Sequence, residues 1–258
     1  MSTNKLIRLQ IKRYDEGLCF PVLQGECTLC TFTDASWATR RDGSSQGGQI
    51  TLLMQKDILT GQVSPFSVLS WSSRRLKRVA RSSTSAEAQM SGNALDLHEF
   101  AKLGYYDLLH GKRLDLRRTD EYLREIESCM VCDARNIYDG ICKVETSGLH
   151  MEEKRTAIEL LAIKERLNQA NVCLRWVDGE QELADGLTKP WKHEPLIRAL
   201  REHAWKIVYD PKFQSARKKR ILQQNLYVDE IWLTTVLSLG GEQIEFWTGE
   251  KSAHCSPH

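Results

Sequence analysis

The hydrophobic period of the chain changes at Ser82, and that change limits what it can fold into. Before it, CTLCTFTDASWA (27–38), QITLLMQ (49–55) and FSVLSWSS (66–73) are short, β-branched or alternating blocks separated by turn-rich stretches such as RRDGSSQGG. After it, Ala86, Met90, Ala94, Leu97, Ala101 and Leu108 recur at steps of three, four or seven, and the preceding serines offer N-capping hydroxyls. The first third therefore reads as an antiparallel meander and the next segment as a long amphipathic helix.

The remaining blocks extend this order. IESCMVCD (126–133) reads as a fourth strand, residues 153–170 as a second long helix and VCLRWVD (172–178) as a fifth strand. A short helix is expected from about Gln181 to before Pro190. The order β-β-β-α-β-α-β-α predicts an α/β fold: a mixed five-stranded sheet, three antiparallel strands then parallel ones, with flanking helices. Residues 1–25 form a lead-in, 26–192 the domain, and 193–258 a C-terminal extension with no readable role.

Composition excludes other classes. With 41% hydrophobic and 27% charged residues the chain is neither disordered nor fibrous. Its longest apolar stretch, Ile231 to Leu239, is about half of what a membrane-spanning helix needs, so no membrane partner is expected. The N-terminus shows no export signal, so a reducing compartment and free thiols are expected for the eight cysteines. Two pairs have CxxC spacing, Cys27 with Cys30 and Cys129 with Cys132, but each lies in an expected strand and not on a zinc knuckle. Cys30 and Cys129 each precede an aspartate by four residues, which predicts that they are level neighbours on adjacent parallel strands.

A formal charge of only +2 says little about partners, but its distribution says more. Arg74, Arg75, Lys77, Arg78 and Arg81 crowd into eight residues without an acid, a candidate rim for nucleic-acid phosphates or a solvated link. Four acids fall where the topology would gather them: Asp34, Glu87, Asp133 and Asp185. Such a cluster suits phosphodiester cleavage with two Mg²⁺ ions about 4 Å apart, because Mg²⁺ prefers carboxylate oxygens. Each acid also has a plain structural reading. Glu87 completes a capping-box spacing with Thr84, Asp34 suits a turn, Asp133 an N-cap, and Asp185 a solvated first turn.

TDASWA (33–38), LSWSSRRLKRVARSSTSAEAQ (69–89), VCDARNIYD (131–139) and ELADGLTKP (182–190) resemble the successive motifs of the ribonuclease H domain of copia-type retrotransposon polyproteins. HMEEKRTAIELLAIKE (150–165) resembles that family's helix before the fifth strand. The resemblance spans about residues 28–191 and implies a ribonuclease H-like fold and metal-dependent hydrolysis of the RNA strand of RNA–DNA hybrids. It also implies two Mg²⁺ ions, with Mn²⁺ as substitute, on Asp34, Glu87, Asp133 and Asp185, which would be catalytic. A reverse transcriptase domain is the implied protein partner, and a cytoplasmic retrotransposon particle the implied location, with the nucleus as alternative. Two positions depart from the pattern: Ala134 stands where the family often has Asn, and Lys154-Arg155 replaces its basic-histidine motif. Tyr227-Val228-Asp229-Glu230 resembles a polymerase YxDD box, but it follows the nuclease-like region and has no polymerase palm around it. A catalytically silent hybrid-binding or structural remnant is the competing expectation.

Overall fold

The computed structural model describes residues 17–111, 114–142, 153–189 and 191–208. The start of the lead-in, the YxDD-like stretch and the end of the extension lie outside them. Six strands form one sheet: β1 (Cys27–Ser36), β2 (Gln46–Gln55), β3 (Ser64–Arg75), β4 (Ser128–Cys132), β5 (Val172–Trp176) and β6 (Ala204–Trp205). Their order is β5-β4-β1-β2-β3-β6. β1 pairs antiparallel with β2, and β2 with β3, whereas β1, β4 and β5 are parallel. This is the mixed arrangement, three antiparallel strands and then parallel ones, that the order of the blocks predicts.

The helices are α1 (Ser83–His110), α2 (Thr119–Glu125), α3 (Arg135–Cys142), α4 (Lys154–Gln169), α5 (Asp185–Thr188) and α6 (Glu194–Glu202). Alternation along the strands separates two cores. Met130 and Val172 share one core with Ala86, Met90 and Ala94 of α1 and Leu160, Ile163 and Leu167 of α4. Cys30, Phe32, Leu52, Cys129 and Val131 face the other, with Val177, Leu183, Ala184, Ala199, Trp205 and Ile207.

Ser82 caps α1 by accepting from the Ser85 N–H. The buried stripe of α1 continues through His98 and Lys102, while Leu108 is exposed despite its place in the periodic pattern. Lys102 is the last buried residue of this 28-residue helix, and Leu109 beyond it is exposed with Leu108. Burial of the two polar residues is compensated locally. His98 is bonded through Nδ1 to the Thr31 hydroxyl (2.8 Å) and through Nε2 to the Ser128 hydroxyl (2.9 Å). The Lys102 ammonium donates to the carbonyls of Ile126, Ala170 and Asn171, two of them at the end of α4, where carbonyls lack helical partners.

The sheet carries a sixth strand beside the five expected, and residues past 192 pack with it. α6 and β6 bring Ala199, Trp205 and Ile207 into the core, and β6 pairs with the outer edge of β3 through Ser64 and Pro65. A two-residue strand has no period to read, which is why it escapes a pattern argument. Among the described residues no helix is long and apolar enough to cross a membrane.

Gly47 and Gly48 position the elements around the site. A Cβ on Gly47 would collide with Met90 and Leu76, and one on Gly48 would lie 2.8 Å from Thr188 Cγ2 and 2.9 Å from Leu187 Cβ. The pair lets α1 approach β2 from one face and α5 from the other. Gly48 is the register partner of Asp34, so α5 comes to rest against the first acid.

Candidate active site

Register brings the acids together. β1 and β4 pair at Phe32 and Val131, and two residues further along stand Asp34, within β1, and Asp133, just past the end of β4. α5 begins at Asp185, against β2 and β1. Carboxylate oxygens of Asp34, Asp133 and Asp185 all lie within 4.8 Å of one another. Asp34 and Asp185 are fully buried and Asp133 is half-buried.

Glu87 flanks this trio and is not part of the tight group. It does not act as a cap: α1 is capped by Ser82, and Glu87 Oε2 accepts from the Ala35 N–H at 3.1 Å. Nor is Asp185 a solvated helix-end acid, since none of it is exposed. The plain structural readings of these two residues therefore fail.

Burial and crowding raise Asp133, Asp34 and Glu87. Burial, then the charges of Asp34 and Asp185, push Asp133 up to about 7. Burial also raises Asp34, where Lys189 pulls down and Asp185 pushes up. Glu87 is raised well above the carboxylate range by burial and then by Asp34 and Asp133. A set of carboxylates that cannot comfortably ionise together, presenting only oxygen donors, fits a hard divalent ion.

Four further groups complete the site. The Thr188 hydroxyl donates to Asp34 Oδ2. Lys189 Nζ lies 3.1 Å from Asp34 Oδ1 and also donates to Asp185 Oδ1, and Lys192 Nζ is 2.6 Å from Asp185 Oδ2. Glu182 is fully buried; its Oε1 accepts from the Ala184 N–H at 3.0 Å and its Oε2 has no partner among the described residues. Burial, then the Asp133 charge, push Glu182 well up, which suits a neutral acid. The signal for Lys189 was present in the sequence, because Asp185 and Lys189 are four apart and such pairs meet on a helix.

The basic run borders the helical side of the sheet. Arg74, Arg75, Lys77 and Arg78 line a groove of about 360 Å³ with Gln89, Asn93 and Asp96 of α1. Arg75 pairs with Asp42 at 3.2 Å and Arg78 with Glu159, while Arg74, Lys77 and Arg81 make no ion pair among the described residues. Trp176 is buried and donates to the Asp133 carbonyl, whereas Trp37 and Trp71 are exposed.

Neither protein families nor curated proteins show a match to this chain. Among solved structures, the N-terminal RNase H domain of a Mycobacterium tuberculosis protein, fused to maltose binding protein, is 15% identical, with 67% of this chain and 99% of that chain covered and a TM-score of 0.38. LC11-RNase H1, isolated from compost by a metagenomic approach, is 13% identical, with 66% and 98% covered and a TM-score of 0.40. LC11-RNase H1 in complex with an RNA/DNA hybrid gives 17% identity, coverage of 67% and 99% and a TM-score of 0.37. All three are ribonuclease H domains.

Proposed function

We propose that this chain is a divalent-metal-dependent endonuclease that hydrolyses the RNA strand of RNA–DNA hybrids, derived from a copia-type retrotransposon and acting beside a reverse transcriptase. The observation that carries the reading is the convergence of Asp34, Asp133 and Asp185 within 4.8 Å, with Glu87 alongside. Four ordered sequence blocks resembling one family supply the substrate class.

Asp34, Asp133 and Asp185, with Glu87 at the flank, would hold Mg²⁺ or Mn²⁺, which when bound lowers the pKa of water and neutralises charge on phosphate oxygens. The chain's own contributions are positional. β1 and β4 fix two carboxylates at one level, and the Ala35 N–H orients Glu87. The cations at the end of β3 and after it offer contacts to the hybrid's phosphates, which place the duplex without reading its sequence. The 2′-hydroxyl marks the strand to be cut.

A catalytically silent hybrid-binding module is the second reading, favoured by the two lysines that already neutralise the carboxylates. Incubation of the purified chain with a labelled RNA–DNA hybrid in Mg²⁺, Mn²⁺ or EDTA separates the two. The enzyme cuts the RNA strand only with metal, and Asp133→Asn abolishes the cut. Binding without cutting under every metal condition leaves the silent module.

A further inference from the structure

All four carboxylate oxygens of Asp34 and Asp185 already have donors. Lys189 serves one oxygen of each, Thr188 the second of Asp34, and Lys192 the second of Asp185. The third acid differs, because the Asp133 carboxylate receives no hydrogen bond among the described residues. Lys189 stands one turn past Asp185, so its side chain folds back over the site that begins its own helix.

We propose that Lys189 is a built-in counter-cation of the acid cluster, whose ammonium must leave Asp34 and Asp185 before they can ligate a divalent ion, so that metal affinity is set by competition with this side chain. The proposal rests on reading the trio as a metal site.

Three features make Lys189 displaceable. Its ammonium sits at the end of a flexible four-carbon stem. Its side chain is 21% exposed, unlike the acids it touches at 1% and 0%. A groove of about 480 Å³, lined by Thr39, Arg40, Gln46, Ser73, Lys189 and Trp191, opens beside it and can receive the released ammonium. Lys192 is more exposed still, with 43% of its side chain accessible. When Lys189 alone leaves, the exchange is favourable in charge: its single positive charge on two carboxylates gives way to a double one that can serve three. In metal-free protein the lysine holds mutually repelling carboxylates together, which keeps the site assembled.

The test is a titration of the full chain with Mn²⁺ alone by calorimetry, with thermal unfolding in EDTA and in saturating Mn²⁺. Lys189→Met is expected to bind Mn²⁺ roughly tenfold more tightly than the parent, about 1.4 kcal/mol. It is also expected to melt lower in EDTA and to regain the difference in Mn²⁺. Lys189→Arg, which keeps the charge and covers the case in which the neutral variant does not fold, should bind no more tightly than the parent. Equal or weaker binding by Lys189→Met, or tighter binding by Lys189→Arg, overturns the competition while leaving the metal site standing. If parent and both variants are folded and none takes up Mn²⁺, the metal reading falls and the proposal falls with it.

Discussion

Cys30 and Cys129 stand level on neighbouring parallel strands, their sulfurs 2.8 Å apart and neither side chain exposed. They lie four residues before Asp34 and Asp133, so the register that joins the thiols is the one that joins the acids. Cys132 is also buried, and burial, then the Glu182 charge, hold its thiol well above the ordinary range. Thiolates are the reactive species, so alkylation of the native chain should spare Cys30, Cys129 and Cys132 while marking exposed Cys19 and Cys142. Peptide mapping by mass spectrometry reads the result, and modification of Cys30 before unfolding would contradict the register.

The two strand-end aspartates should respond differently to amidation in metal-free protein. Asp34→Asn removes a carboxylate that is paired with Lys189 and Thr188, and should lower stability by about 1–3 kcal/mol. Asp133→Asn removes a crowded anion that has no hydrogen-bonded cation, so the melting temperature in EDTA should hold or rise. Both should abolish cleavage. A fall in stability for Asp133→Asn would mark it as structural.

His98 predicts how stability varies with acid. Burial, then the Lys102 charge, lower its pKa to about 3, against about 6.5 in an unfolded chain. Between those values the unfolded state binds the proton and the folded state does not, so stability falls as pH drops from about 6.5 toward 3. The slope is about 1.4 kcal/mol per pH unit at most. Urea unfolding of the parent and His98→Gln at several pH values isolates the contribution; equal slopes in the two chains would refute it.

The basic run should not act as five equal charges. Arg75 and Arg78 are engaged by Asp42 and Glu159, whereas Arg74, Lys77 and Arg81 make no such pair among the described residues. Replacing these three by Gln should weaken hybrid binding uniformly across sequences and flatten its salt dependence by about 0.9 in log–log slope for each lost phosphate contact. Replacing Arg75 and Arg78 should change the slope less. Fluorescence anisotropy over a salt series measures both, and an unchanged slope for the triple variant would place the phosphate contacts elsewhere.

Trp205 should matter to folding although it lies in the segment expected to be an appendage. It is 6% exposed, packs in the core and has the Arg198 guanidinium 5.4 Å from its ring. Trp205→Ala should cost about 3–5 kcal/mol, a large share of a total near 5–15. Denaturant unfolding checks this; a change below 1 kcal/mol would return the segment to the status of an extension.

The five longer strands and two long helices were legible because each repeats its hydrophobic period several times. α2 and β6 are too short to show a period, and the buried ends of His98 and Lys102 hide among polar letters whose partners come from distant strands and helix ends. At the site, Asp34, Glu87, Asp133 and Asp185 could be named individually. That three of them converge while Glu87 turns to the Ala35 N–H depends on a side-chain choice no spacing specifies. Thr188 and Lys189 stood within the quoted ELADGLTKP block, but their contacts with Asp34, some 150 residues away, appear only once α5 docks beside Gly48.

The two adjacent glycines of β2 make the sheet a bare partition next to the acids, a single backbone thick, with Met90 leaning on one side and Thr188 on the other. Most of a sheet is cushioned by side chains that can shift to absorb a disturbance. Here there is no cushion, so a bulkier residue at position 90 would push the wall itself toward Thr188 and Asp34. The helix that contributes Glu87 and the turn that contributes Asp185 are thus mechanically one body, and a lesion on the dry side of the sheet would be felt as a misplacement on the wet one.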